Sequence, residues 1–83
     1  MVEISIVLIV ALIGKVCISY TLPIWGQVLL TIYDLCGRGI KTIVNETQKV
    51  GEYKVMWTAQ TRGIYFYKLQ TGKFKKAGKF IIL

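Results

Sequence analysis

The chain has 83 residues, enough for one small domain, and is 54% hydrophobic with 18% charged side chains. That composition excludes a disordered tail and a low-complexity linker. Eleven Lys and Arg against four acids give a net charge of +7, and histidine is absent. With so few candidate ligands, no catalytic pair, metal site or cofactor is expected. Cys17 and Cys36 are expected to be unpaired thiols in or near the core.

Residues 4–13 form an aliphatic run broken only by Ser5 and closed by Gly14 and Lys15. As a helix such a run would rise only about 15 Å, half of a ~30 Å hydrocarbon core. Its β-branched residues (Ile4, Ile6, Val7, Ile9, Val10 and Ile13) favour a buried strand. Glu3 stands where a secretory signal needs a positive flank, and no small-x-small cleavage site follows, so this is no convincing signal peptide. Residues 1–15 are therefore read as an atypical apolar N-terminal extension.

From Val16 onward the period becomes two, with turn signals roughly every ten residues. Residues 16–22 place Ile18, Tyr20 and Leu22 on one face and Cys17, Ser19 and Thr21 on the other; Pro23 stops them and Trp25-Gly26 makes the turn. Residues 27–35 place Val28, Leu30 and Ile32 together, opposite Thr31 and Tyr33, with Leu29 making the second face partly apolar. Residues 34–38 read as a tight hairpin. Asp34 can accept a backbone hydrogen bond two residues on, and Gly37 can take a positive φ without a Cβ clash. Residues 40–44 predict a short strand of mixed period, and 45–50 a polar loop.

Residues 51–57 alternate most cleanly, with Tyr53, Val55 and Trp57 inward and Glu52, Lys54 and Met56 outward. After a polar turn at 58–62, Ile64-Tyr65-Phe66-Tyr67 lies in a strand apolar on both faces, expected at the centre of its sheet. Thr71-Gly72 signals a hairpin. In the returning strand, Lys75, Lys76 and Lys79 look like charges that protect a sheet edge.

The pattern predicts an all-β protein, an antiparallel immunoglobulin-like β-sandwich of about six to seven strands. Gly63-Ile64-Tyr65 matches the corner at which such folds return a tyrosine hydroxyl to the backbone. Tyr67 stands where immunoglobulin domains keep their second cysteine. Trp57 and Tyr67 are therefore expected to fill by packing the space an inter-sheet disulfide would occupy, with Tyr53 and Val55 beside them in the core.

Read in order, Ile18-Ser19-Tyr20-Thr21-Leu22-Pro23, the Val28-to-Arg38 segment with Tyr33-Asp34-Leu35 and Gly37, Ile43-Val44-Asn45-Glu46, Gly51-x-Tyr53-x-Val55-x-Trp57, Gly63-Ile64-Tyr65-Phe66-Tyr67-Lys68-Leu69 and Thr71-Gly72 resemble a known family. It is the type A C-terminal sorting domain of the type IX secretion system, similar also to the immunoglobulin-like domain of flagellar hook-capping proteins. The match runs over residues 16–83 and leaves 1–15 outside it. The resemblance implies a non-catalytic address label on exported proteins of Bacteroidetes-type bacteria. Components of the outer-membrane translocon would read it in the periplasm, on the way to the cell surface or medium. The family's opening Asn-Pro-rich segment is replaced here by the aliphatic run, so a truncated or stand-alone fragment is expected.

Partner contact is expected on Lys68, Lys73, Lys75, Lys76 and Lys79 of the last hairpin. Asp34, Gly37, Gly63 and Tyr65 are expected to carry turn and corner geometry. Two other classes compete with a sorting module. One is a basic nucleic-acid binder using Tyr65, Phe66 and Tyr67 as a stacking platform; it is disfavoured because that strand must supply the core. The other is a small membrane protein anchored by residues 4–22, disfavoured by Lys15 and Pro23. No small-molecule substrate is expected.

Overall fold

The computed structural model describes residues 5–10 and 14–83. Among these residues seven strands make two antiparallel sheets: β1 (Ser5–Val10), β2 (Lys15–Leu22), β3 (Gly26–Tyr33), β4 (Gly39–Gln48), β5 (Gly51–Thr58), β6 (Gly63–Thr71) and β7 (Phe74–Ile82). One sheet has the order β1-β2-β5 and the other β4-β3-β6-β7. The fold is thus all-β and sandwich-like, consistent with the immunoglobulin-like arrangement expected from the alternating pattern.

Strand alternation builds the interior. In β2, Val16, Ile18, Tyr20 and Leu22 are buried; in β3, Val28, Leu30 and Ile32; in β6, Tyr65, Tyr67 and Leu69. Each set lies on one side of its strand because successive side chains point to opposite faces. These strands are interior to their sheets, so their inward faces meet between the layers. Phe80 and Ile82 of β7 and Val44 of β4 complete the buried cluster. At the level of the backbone, β1 pairs with β2 from Ser5↔Thr21 to Val10↔Val16, so part of the segment read as an extension forms an edge strand of the first sheet. Residues 1–4 and 11–13 of that segment lie outside the described residues.

Other elements also differ from expectation. The strand predicted for residues 40–44 runs from Gly39 to Gln48 and includes the stretch read as a loop. Asn45, Glu46 and Thr47 are exposed, but their backbones pair with β3, and the Gln27 amide bridges Asn45 (2.9 Å) and Thr47 (3.1 Å). A polar edge strand reads as a loop because it buries so little. Its mixed period has a second cause: the β3–β4 register shifts between Leu30 and Thr31 and again between Ile32 and Tyr33, and such irregularities interrupt alternation.

The core assignments also change in depth. Trp57, Tyr53 and Val55 face inward but are only half-buried, because β5 is an edge strand and they lie at the margin of the core. Trp57 finds its aromatic neighbours on β6 and β7. Its indole meets Tyr65 edge-on at 5.3 Å and Phe80 at 6.4 Å. Tyr67 instead lies across Gly78, its cross-strand neighbour in β7. A Cβ added at Gly78 would stand 2.6 Å from the Tyr67 ring, so the glycine makes room for it. Last, the β6–β7 turn is formed by Gly72 and Lys73, one residue later than predicted.

Leu30 is fully buried and Leu29, one residue away, is half-buried on the other face. Leu30→Ala should therefore lower the unfolding free energy by about 2–5 kcal/mol, and Leu29→Ala by less than about half as much. Urea titrations of the two variants check this facing; equal losses would show that β3 is rotated.

Candidate functional site

The register of the second sheet sorts the five lysines of the last hairpin. Since Tyr65, Tyr67 and Leu69 face the core, Phe66, Lys68 and Gln70 face outward. Their cross-strand neighbours share that face: Tyr33, Thr31 and Leu29 on β3, and Lys79, Ala77 and Lys75 on β7. Lys68, Lys75 and Lys79 are thereby brought together on one surface with Tyr33 and Phe66. The Lys68 ammonium stands 5.9 Å from the centre of the Tyr33 ring, within reach of a cation–π attraction. Lys76 is opposite Leu69, on the other side of β7, yet is exposed on this edge strand. Lys73 sits in the turn. The five do not form one patch.

Tyr65 and Tyr67 are buried, so of the three aromatics considered as a base-stacking platform only Phe66 is on the outer face. Residues 15–22 of the segment considered as a membrane anchor form β2, which runs through the first sheet. No helix among the described residues is long and apolar enough to cross a membrane, and no cluster of His, Cys, Asp and Glu among them could hold a metal ion. Cys17 is half-buried and Cys36 exposed, both as free thiols.

The turn residues act on the backbone. One Asp34 carboxylate oxygen accepts from the amides of Cys36 and Arg38, each at 2.9 Å, and the other from the Arg38 guanidinium at 2.9 Å. Gly37, with φ of 84°, donates its amide to the Asp34 carbonyl at 3.0 Å and closes the hairpin. Gly63 opens β6. Two residues on, the Tyr65 hydroxyl donates to the Thr61 carbonyl at 2.7 Å and lies 2.9 Å from the Thr61 hydroxyl, tying the β5–β6 corner to the core. At the opposite end, the Tyr20 hydroxyl donates to the Gln48 side chain at 2.6 Å, linking the two sheets. Burial pushes the Tyr20 phenol above its ordinary value, and the Gln48 bond opposes that rise.

Two surface cavities accompany these features. One of about 330 Å³ lies between the β2–β3 loop and the β6–β7 turn, lined by Ile24, Trp25, Gln27, Thr71, Lys73 and Phe74 among others. The other, about 500 Å³, lies between the β3–β4 hairpin and the end of β5 and includes Asp34, Lys41, Trp57 and Tyr65. Sequence reasoning assigned Trp25 to a turn and gave Ile24 and Phe74 no role. A tryptophan next to a turn glycine, off the alternating pattern, was the available signal.

A family model described as the secretion system C-terminal sorting domain matches residues 12–83. The chain belongs to this family. A search of curated proteins found no match. The matched span takes in β2 to β7 and begins after β1. A sorting domain of the type IX system is a signal module rather than a catalyst; it implies interaction with that secretion machinery and export to the cell surface or beyond.

The Arg38 amide, followed by the Arg38 guanidinium and the Cys36 amide, holds the Asp34 carboxyl below its ordinary 3.8. A lowered folded value means stability that is present above the unfolded pKa and lost as pH falls through the folded one. The melting temperature should therefore decline as pH drops below about 4, and Asp34→Asn should lack that part of the decline. Thermal melts of both proteins across this range check it; identical acid profiles would show that the turn carboxylate does not contribute.

Proposed function

We propose that this domain is a non-catalytic sorting module that addresses an attached passenger to the outer-membrane translocon of the type IX system, through the basic surface of its last hairpin. Family membership supports the address-label role. The observation that favours this surface is the cross-strand register, which gathers Lys68, Lys75 and Lys79 beside Tyr33 and Phe66 on the outer face of the second sheet. Mixed aromatic and cationic surfaces of this kind suit a protein partner, because the rings supply contact area and the charges steer encounter and orientation. Lys73 and Lys76 extend the positive field around the hairpin without sharing the face.

The passenger meets the translocon in the periplasm and leaves for the cell surface or medium. A truncated or stand-alone chain would carry the address without cargo, so activity requires covalent attachment to a passenger.

The test fuses the domain to the C-terminus of a reporter carrying its own secretory signal, in a bacterium with a type IX system. Reporter should reach the surface or medium, and remain periplasmic when the domain is removed. Reversing Lys68, Lys75 and Lys79 together to Glu should lower export by at least about tenfold while the far-ultraviolet circular dichroism stays unchanged. Full export by a folded triple variant would remove this face from the recognition step.

A further inference from the structure

We propose that the cleft between the β2–β3 loop and the β6–β7 turn is a docking site for an acidic protein segment that inserts one bulky apolar side chain. This deepens the sorting reading and rests on it, since it names the chemistry of the partner. Trp25 is 68% exposed, Ile24 50% and Phe74 40%, and all three border the same cavity of about 330 Å³. Apolar side chains that scatter singly over a surface need no explanation, but three that converge on a concavity do. Tryptophan in particular is enriched among residues that dominate binding energy. The volume is at the small end for a ligand pocket and fits one large side chain.

The floor is already packed. A Cβ on Gly26 would meet the Thr71 hydroxyl at 3.3 Å, so the two strands close the base of the cleft. The side chain of Gln27 is occupied by Asn45 and Thr47, which leaves its polar atoms no need of a guest.

Charge selects the occupant. Lys73 lines the cleft, no carboxylate does, and Lys75 and Lys76 follow immediately in β7. The carboxylates on nearby strands are directed elsewhere: Glu46 accepts from the Gln48 amide, and Glu52 lies on β5, opposite Thr21. A second copy of this chain is a poor fit, because a two-fold contact would bring the same lysines face to face on a protein of net charge +7. The concavity suits a single inserted side chain, and an anionic bilayer receiving the exposed Trp25 is the competing outcome of the test.

The test follows the Trp25 indole N–H resonance of the purified domain, with that of Trp57 as internal reference. The probes are synthetic eight-residue peptides with one central phenylalanine flanked by glutamates or by lysines, and vesicles of phosphatidylglycerol. The glutamate peptide should shift the Trp25 signal saturably and lose several-fold in affinity as salt rises from about 0.05 to 0.5 M. Lys73→Glu should weaken it by about tenfold, equivalent to about 1.4 kcal/mol.

Equal binding of the lysine peptide, no shift with any peptide at about 5 mM, or a shift produced by vesicles alone would overturn the proposal. A shift that tracks protein concentration without probe would also overturn it, in favour of self-association. Export separates it from the sorting reading. If Trp25→Ala and Lys73→Glu leave the reporter fully exported, the cleft is not the docking site while sorting stands. If the unmodified domain exports nothing, the sorting reading fails whatever the peptides do.

Discussion

A dry layer between β2 on one side and β3 and β6 on the other is the constraint on which the molecule depends. Val16, Ile18, Leu22, Val28, Leu30, Ile32 and Leu69 lose essentially all their solvent exposure there. Shifting any of these strands by one residue would turn its apolar set outward and its polar set inward, so the sheet register and the core are one property. A domain of this size has little stability to spare, and neither cysteine forms a covalent tie.

Aromatic groups hold the two ends of that layer. At one end Trp57, Tyr65 and Phe80 pack as a group, with Tyr65 and Phe80 stacked at 5.8 Å, while the Tyr65 hydroxyl fixes the corner. At the other, Tyr20 and Tyr53 stack at 5.4 Å across the β2–β5 pair; Tyr20 reaches Gln48 and Tyr53 donates to the Lys49 carbonyl at 2.6 Å. The hydroxyls of Tyr20, Tyr53 and Tyr65 thus each find a partner, which offsets part of the desolvation cost of drawing a phenol toward the interior. These groups occupy both ends of the sandwich, and the surface proposed for recognition lies instead on the outer sheet face and the loops.

The positive charge of the chain is distributed by the same register. Residues of one parity on β6 and β7 carry the core, and those of the other parity carry Lys68, Lys75 and Lys79. β7 is an edge strand, and charged side chains on such a strand disfavour pairing with a neighbouring chain. On the proposed reading, one set of side chains both protects an edge and presents charge to a partner.

Alternation made β2, β3, β5 and β6, the inward set from Ile18 to Leu69, and the Asp34 and Tyr65 corners legible from the amino-acid order. Each depends on neighbours a few residues apart, and period-two burial and turn chemistry are local rules. The family resemblance was legible for the same reason, being carried by spaced turn and strand residues. What the order did not show is set by long-range placement. Asn45 to Gln48 are a strand because β3 lies alongside them, and Trp57 sits at a margin because β5 is an edge. Tyr67 lies over Gly78 because the β6–β7 register puts a residue without a side chain beneath its ring, and Trp25 and Phe74 border one cleft because the β2–β3 loop and the β6–β7 turn, distant in sequence, lie side by side. Composition and periodicity determined the sandwich and its dry face; pairing between distant strands decided which lysines share a surface and where an exposed tryptophan finds neighbours, since those distances exist only once the sheets have formed.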